Sequence, residues 1–309
     1  MTPRVTVYEV GPRDGLQNEA ARVPTADKLA LLRALAEAGL PRIEATSFVS
    51  PAWIPQLADA AEVVAGLPAV PGVGYVALVP NGKGLARLLA ALDGRGAGGP
   101  PVAAAIFLSA SETHNRKNVN RSTEESMAGF AEVVGPALAR GLVVRGYVST
   151  AFGCPYEGAV DPGRVAELAE RLLALGCAQV SLGDTIGVGT PTEVRRVLRR
   201  LLPAVPADRL ALHAHDTRGT ALANVLAALE EGLTTFDAAV GGMGGCPYAP
   251  GASGNLATED LVYLLHGLGL ETGVDFQRLV AAGALAQRLT GRRLPGKALQ
   301  AALAARGEA

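Results

Sequence analysis

The sequence predicts an α/β barrel of eight parallel strands, each followed by a helix, with a short helical extension after the barrel. Short apolar, β-branched runs alternate regularly with segments whose apolar residues recur at helical spacing. The alternation gives eight strand–helix units, and a barrel of that kind takes roughly 250 residues. No GxGxxG motif follows the first strand, which disfavours a doubly wound open sheet. The predicted fold class is a TIM (β/α)8 barrel.

The first unit shows how the elements are assigned. Residues 5–10 are apolar and β-branched, and a Gly-Pro pair ends the strand. Residues 25–38 carry leucines at helical spacing, with Thr25 as a cap and Gly39 as the terminator. The same criteria place the other strands at residues 42–46, 73–79, 102–108, 143–150, 178–182, 210–214 and 235–240. They place the other helices at residues 57–66, 83–92, 122–139, 162–175, 191–202, 220–231 and 258–268.

The chain contains no Pro/Ser-rich linker that would mark a second domain. Its 309 residues are 49% hydrophobic, so a large core is available. From Asp275 onward the pattern is helical and then alanine-rich. We therefore expect a catalytic barrel over residues 1–270 and a helical extension packed on it over residues 271–309.

Composition also narrows the classes of partner and compartment. A net charge of −1 argues against nucleic acid or an anionic membrane surface as a partner. Cys154, Cys177 and Cys246 are three widely spaced cysteines, which favours a reducing compartment over a disulfide framework. No apolar run reaches the ~18 residues of a membrane span, and no leader pattern precedes the first strand. We expect a cytoplasmic protein.

Polar residues collect where the predicted strands end, which is where active sites of this fold are built. Arg13 and Asp14 follow the first strand and Glu44 lies on the second. Asp184 follows the sixth strand, and two histidines lie at the end of the seventh. Cys246 and Asn255 lie in the loop after the eighth strand. These residues are the candidates for an active site.

His213 and His215 are the most informative pair. Residues two apart on a strand point to the same face, so both imidazoles face one way. They are either a hydrogen-bonded pair near the barrel mouth or ligands of a divalent metal ion. With Asp14 and Asn255 they would form a mixed nitrogen and oxygen set, which suits Mg²⁺ or Mn²⁺ better than a closed zinc site.

The acidic and basic candidates each have two interpretations. Arg13 beside Asp14 is either a surface ion pair or a fixed cation for developing negative charge. Glu44 is costly to bury alone, so it either pairs with Arg13 or is exposed. Asp184 is either a turn residue or an acid near the substrate. Cys154 and Cys177 fit small hydrophobic positions.

Two loops complete the set of candidates. Residues 241–255 hold six glycines and two prolines around Cys246, so the run is either a flexible surface loop or a backbone that approaches a ligand closely. Residues 109–118 offer hydroxyls, amides and two cations after the fourth strand. Ser111, Asn115 and Lys117 could bind phosphate or a nucleotide there, and a solvated loop fits the composition equally well.

Six segments, in this order, resemble the 3-hydroxy-3-methylglutaryl-CoA lyase family of metal-dependent TIM barrels. The segments are residues 10–19, 43–51, 153–158, 182–187, 213–217 and 244–255. The likeness covers nearly the whole chain, although Met243 stands where the family usually has leucine. The chain also lacks the cysteine near the C-terminus that animal relatives use for thiol-linked regulation.

The resemblance implies retro-Claisen cleavage of an acyl-CoA thioester, 3-hydroxy-3-methylglutaryl-CoA, to acetyl-CoA and acetoacetate. It implies these roles: metal ligands Asp14, His213, His215 and Asn255; active-site residues Arg13 and Glu44; catalytic thiol Cys246; and substrate-proximal acid Asp184. Asp14 and His213 are both candidates for the general base, and the family suggests a homodimer.

Four other functions compete with this one. Condensing synthases of the same barrel group carry a long C-terminal regulatory region, for which this chain has no room, and a pyruvate-type aldolase would lack the glycine–cysteine loop. A non-catalytic CoA-binding or metal-binding barrel would lack Arg13, Asp14 or Cys246, and all three are present. A lyase acting on another 3-hydroxyacyl-CoA stays open.

Overall fold

Eight parallel strands close into a barrel in the computed structural model, which describes residues 4–96, 98–245 and 254–308. The strands are β1 Thr6–Glu9, β2 Arg42–Ser47, β3 Gly74–Leu78, β4 Val102–Ser109, β5 Val144–Ser149, β6 Gln179–Asp184, β7 Leu210–Ala214 and β8 Thr235–Ala238. Each strand pairs with its sequence neighbours, and β8 pairs with β1 from Thr6↔Thr235 onward. The predicted TIM barrel is confirmed.

Twelve α-helices lie in the described parts of the chain. They are α1 Thr25–Glu37, α2 Ala60–Ala65, α3 Gly82–Gly94, α4 Glu112–Val119, α5 Thr123–Gly129, α6 Ala131–Ala139, α7 Pro162–Leu175, α8 Pro191–Leu201, α9 Ala221–Glu230, α10 Thr258–Gly267, α11 Phe276–Thr290 and α12 Lys297–Ala305. None of these helices combines the length and the apolar character needed to span a bilayer.

Two local expectations were wrong. The segment after β4 contains α4, which hydrophobic periodicity could not reveal because its residues are mainly polar; the capping residue Ser111 was the available signal. The single helix expected over residues 122–139 is interrupted at Phe130, next to Gly129, a weak helix former.

The C-terminal helices pack on the barrel near its first and last units. Helix α11 contacts α1, and α12 contacts α10 and α11. The Asp260 carboxylate on α10 accepts the backbone N–H of Lys297 at 3.1 Å and caps the start of α12. The helical extension is therefore attached through specific contacts, while the boundary at residue 270 stays a prediction.

Candidate active site

A cavity of about 660 Å³ opens at the carboxyl ends of the strands. Arg13, Asp14, His213 and His215 line it, as does Lys117 from α4. Parallel strands bring the ends of distant sequence segments to one face of the barrel, and the loops that follow form the walls. Arg13, Asp14, His213 and His215, four of the polar residues predicted to gather at this face, therefore line one cavity.

Arg13 bridges two carboxylates at this face. The helical turn Gly11–Gly15 directs its guanidinium inward, where Nη1 donates to Asp14 Oδ1 and Nη2 donates to Glu44 Oε2, both at 2.7 Å. Glu44 on β2 is fully buried. The structure therefore selects the buried pairing of Glu44 with Arg13 over an exposed glutamate. A guanidinium held at two nitrogens is a rigid cation at the cavity wall.

Asp14, His213 and His215 form a group that could hold a metal ion. One ligand atom from each lies within 4.8 Å of the others. Asn255 joins them, since its Nδ2 donates to Asp14 Oδ2 at 2.9 Å and residue 255 forms a bridge with His215. The Asn255 Oδ1 atom is buried and has no hydrogen-bond partner among the described residues. A neutral oxygen left free beside two imidazoles and a carboxylate fits the donor set of a hard divalent cation.

The local charges keep Asp14 and His215 in metal-binding protonation states. Burial raises the pKa of the Asp14 carboxyl, but Arg13 and the two histidines lower it more, to about 2. Burial and the neighbouring imidazole of His213 lower the pKa of His215 to about 4. An ionised carboxylate and a neutral imidazole, the forms that bind metals, are thus present at neutral pH.

A buried polar network below the site was missed at the sequence level. Asp237 on β8 accepts from Arg145 Nη2 at 2.7 Å, and Arg145 Nη1 donates to the Tyr147 hydroxyl at 2.7 Å. Tyr147 in turn donates to Glu44 Oε2 at 3.1 Å. The available signal was a charged residue inside an apolar strand, Arg145 in the fifth and Asp237 in the eighth.

Comparisons with known proteins settle the family. The family model described as HMGL-like matches residues 4–286. The mitochondrial hydroxymethylglutaryl-CoA lyase of Bos taurus is 53% identical over 298 residues, which cover 96% of this chain and 89% of the relative. The chain belongs to the HMG-CoA lyase family. The resemblance drawn from the six segments is confirmed, and with it the prediction of a carbon–carbon lyase.

Solved structures of the HMG-CoA lyase family share the whole architecture. The hydroxymethylglutaryl-CoA lyase of Pseudomonas aeruginosa is 48% identical, with a TM-score of 0.93 and coverage of 98% of this chain and 99% of that one. An HMG-CoA lyase of Acinetobacter baumannii, solved in complex with coenzyme A and 3-methylmalate, is 41% identical, with a TM-score of 0.89 and coverage of 98% and 95%. Relatives named as mitochondrial and as cytoplasmic both match.

Asp184, the acid implied by the family resemblance, lies at the end of β6 and is buried. Its two oxygens accept the backbone N–H groups of Val188 at 3.0 Å and Gly189 at 2.9 Å. Burial raises its pKa above the usual range. The carboxyl therefore organises the loop after β6, which is the turn role that the sequence left open beside a role near the substrate.

The three candidates on the segment after β4 have different positions. Ser111 is buried and accepts the His114 N–H at 3.1 Å, which caps α4. Asn115 is buried, and its Oδ1 accepts the backbone N–H of Ser109 at 2.9 Å. Lys117 is exposed, and its ammonium lies 4.5 Å from the centre of the Tyr156 ring. Only Lys117 of these three presents its charge to the cavity; the other two support the helix that carries it.

The glycine-rich segment is described on both sides of Cys246, which itself lies outside the described residues. Gly244 and Gly254 have φ angles of +110° and +83°, in the left-handed region that favours glycine. A Cβ on Gly254 would lie 2.6 Å from the carbonyl of Gly244. The two ends of the segment therefore approach each other more closely than a residue with a Cβ would allow, and the close approach of this run to a ligand stays a prediction.

Proposed function

We propose that this protein cleaves 3-hydroxy-3-methylglutaryl-CoA to acetyl-CoA and acetoacetate, using a divalent metal ion, Mg²⁺ or Mn²⁺, held by Asp14, His213, His215 and Asn255. The observation that carries the proposal is the convergence of Asp14 and both histidines within 4.8 Å, directly beside the Arg13 guanidinium. Membership of the family supports the named reaction, since relatives of that name match almost the whole chain.

A divalent cation bound by these four side chains would supply Lewis-acid stabilisation of negative charge on the substrate's oxygen atoms. Asp14 and His213 are the two candidates for the base that takes the proton of the substrate's C3 hydroxyl. As that O–H bond breaks, C3 becomes a carbonyl carbon, the C2–C3 bond breaks and its electron pair stays on the thioester fragment. Acetoacetate is the carbonyl product.

Arg13 faces the negative charge that develops on the thioester enolate. Its guanidinium is fixed in advance by Asp14 and Glu44, so little reorganisation is needed as the charge forms. We assign Glu44 to holding Arg13 and Asp184 to ordering the loop after β6. Cys246 donates the thiol proton to the enolate carbon, which completes acetyl-CoA and balances the proton taken from the hydroxyl.

The CoA part of the substrate would enter along the cavity wall formed by α4. Lys117 lines the same cavity as the metal-binding side chains. Its exposed ammonium is a suitable partner for a phosphate, and Ser111 and Asn115 hold α4 in place from below. The complex of the A. baumannii relative with coenzyme A supports an acyl-CoA substrate for this chain as well.

The test is an acetoacetate assay on metal-stripped protein supplied with 3-hydroxy-3-methylglutaryl-CoA, with and without Mg²⁺ or Mn²⁺. Acetoacetate should form only with added metal and should largely disappear in Cys246→Ala. Cys177→Ala is the matched control, because Cys177 is fully buried and does not line the cavity, so the activity should stay intact. Folded, metal-bound protein that produces no acetoacetate would exclude this substrate and direct the search to other 3-hydroxyacyl-CoA thioesters.

We also propose that the protein is a cytoplasmic homodimer. Relatives named as cytoplasmic support the compartment, and fractionation of the source cells tests it. Sedimentation equilibrium tests the assembly: a dimer should have twice the 31.5 kDa mass of the chain.

A further inference from the structure

Asp237 is a fully enclosed carboxylate that the reaction outlined above does not use. It lies on β8, directly opposite the predicted metal ligand His213 on the neighbouring strand β7. Its Oδ2 accepts from the Ser181 hydroxyl at 2.9 Å and from Arg145 Nη1 at 3.1 Å. The same Oδ2 lies 3.3 Å from Nδ1 of His213. The carboxylate therefore connects the barrel interior with one ring nitrogen of a metal ligand.

The partners of Asp237 determine which ring nitrogen of His213 carries the proton. Arg145 holds both carboxylate oxygens, so the group is an ionised acceptor with no proton to donate. A hydrogen bond to His213 can then exist only if Nδ1 is the donor. In the neutral imidazole this leaves Nε2 with a free lone pair. Nε2 is the atom that faces the site, 3.8 Å from Asp14 Oδ2.

We propose that Asp237 is a positioning residue of the metal site, which fixes the Nδ1–H tautomer and the ring orientation of His213 so that Nε2 is available as a ligand. The inference deepens the proposed function, because it rests on the metal site assigned there. Carboxylates that accept the distal N–H of a ligating histidine commonly raise metal affinity and set the ring orientation. The sequence around His213 and His215 does not by itself indicate that Asp237 is the partner of His213.

The surroundings of Asp237 indicate that more than core stability is involved. Arg145 stacks on the Tyr8 ring, with 3.8 Å between the guanidinium carbon and the ring centre. Through Tyr147 and Glu44 the same arginine connects to Arg13 on the other side of the site. A buried ion pair contributes little to stability compared with apolar side chains of the same volume. The Arg145–Asp237 pair instead holds two active-site residues in place, His213 directly and Arg13 through Tyr147 and Glu44, which is a functional role for it.

The direct test is the protonation state of His213 in the metal-free protein, read from two-bond ¹⁵N–¹H NMR correlations at a pH where the imidazoles are neutral. The chain has four histidines, so the His213 signals can be assigned by their loss in His213→Gln. The proposal expects a protonated Nδ1 and an unprotonated Nε2. A proton on Nε2 of the unaltered protein would overturn it, whatever any variant does.

The second test compares Asp237→Asn with Ser181→Ala for Mn²⁺ binding, measured as free Mn²⁺ by electron paramagnetic resonance. Asparagine has one acceptor oxygen, for which Arg145 competes, and an NH2 group that only donates, so His213 Nδ1 should lose its ionised acceptor. Binding should then weaken by about 10- to 100-fold, and the His213 tautomer should shift. Ser181→Ala also removes a hydrogen bond from the same oxygen but does not touch His213, so its Mn²⁺ affinity should stay close to that of the unaltered protein.

Equal Mn²⁺ affinities for Asp237→Asn and the unaltered protein, or equal losses in both variants, would contradict a specific effect on His213. Neither measurement uses an acyl-CoA. A wrong substrate would therefore leave the NMR and Mn²⁺ results unchanged, whereas a wrong tautomer would leave the acetoacetate assay unchanged.

Discussion

At the scale of single residues, the site depends on charged groups that are buried and paired. Arg13 has a side chain that is only 9% exposed and contacts carboxylates on two different elements. A lysine has one point charge and cannot replace guanidinium contacts to two separate carboxylates. The interaction geometry of the arginine, and not only its charge, should therefore matter for activity.

Arg13→Lys should lower kcat by about 100-fold or more, because a fixed donor facing the developing enolate is lost. Mn²⁺ binding should change little, since the ligand atoms stay in place. Steady-state acetoacetate production and an Mn²⁺ titration measure the two effects. Arg293→Lys, at an exposed position on the helical extension, is the control. An unchanged kcat in Arg13→Lys would refute the proposed role.

A second residue-scale feature is a pair of acids beneath the glycine-rich segment. Glu259 Oε2 accepts the Gly241 N–H at 2.7 Å, and Glu9 Oε1 accepts the Val240 N–H at 2.9 Å. Burial raises the pKa of Glu259 to about 8 and that of Glu9 to about 7. Both acids are thus protonated in the folded protein at pH values where the unfolded chain has released the proton.

This difference makes stability depend on pH. The unfolded glutamate titrates near pH 4.3 to 4.5, so the free energy of unfolding falls as the pH rises from about 5 to about 8. In Glu259→Gln the total loss of unfolding free energy over this pH range should be smaller by roughly 1 to 3 kcal/mol. The loss that remains is due to Glu9 and should end at about pH 7. Urea titrations of metal-free protein at several pH values provide the measurement. Glu62→Gln, a change at an exposed position on α2, should leave the dependence of unfolding free energy on pH unaltered. If Glu259→Gln also left it unaltered, the raised pKa of Glu259 would be contradicted.

At the scale of elements, the segment between β8 and α10 decides whether the site is assembled. Asn255 reaches Asp14 only because Gly244 and Gly254 allow the two ends of the segment to pass each other closely. The backbone oxygen of Gly254 also accepts the Asp216 N–H at 2.9 Å, which ties the segment to the end of β7. The glycines therefore position a predicted ligand.

Gly254→Ala should lower the free energy of unfolding by about 1 to 3 kcal/mol, since a Cβ meets the Gly244 carbonyl at a strained φ. It should also weaken Mn²⁺ binding, because Asn255 is displaced. Gly291→Ala is the matched control: its φ is +68°, but nothing lies within 4 Å of the added Cβ. Denaturant titration and Mn²⁺ titration of both variants separate the steric clash of the added Cβ with the Gly244 carbonyl from the energetic cost of a positive φ. Equal losses of stability and equal Mn²⁺ affinities in Gly254→Ala and Gly291→Ala would mean that the close approach of Gly254 to Gly244 is unimportant.

At the scale of the whole molecule, the helical extension supports the same segment from outside the barrel. The Gly296 N–H donates to the Gly241 carbonyl at 2.9 Å, and Leu294 is buried against Gly241. Arg292 donates to Glu19 Oε2 at 2.8 Å, which links the extension to the residues after β1. The residues between α11 and α12 thus contact both segments that carry Asp14 and Asn255.

A chain that stops after Gly291 should lose several degrees in Tm and most of its lyase activity, because these supports are removed. A chain that stops after Ala305 keeps α12, and residues 306–308, which it loses, are exposed, so it should resemble the full chain. Differential scanning calorimetry and the acetoacetate assay compare the two. Full activity in the shorter chain would show that the extension does not support the site.

The sequence by itself determined the number and order of the strand–helix units, because hydrophobic periodicity and end signals are local properties. It also placed His213 and His215 on one face, since the period of a strand is two residues. The family was evident from motifs in fixed order. Helix α4 and the break at Phe130 were missed, because a polar helix has little periodicity and a single glycine is a weak signal.

Only the tertiary structure decided which side chains meet across the barrel. Asp237 and His213 are adjacent because β7 and β8 pair in one register, and Arg145 reaches Asp237 from β5 across the interior. Strand tilt and stagger fix such contacts, and both depend on closure of the whole sheet. For the same reason Ser111, chosen from its chemistry, lies buried as a helix cap while Lys117 faces the cavity.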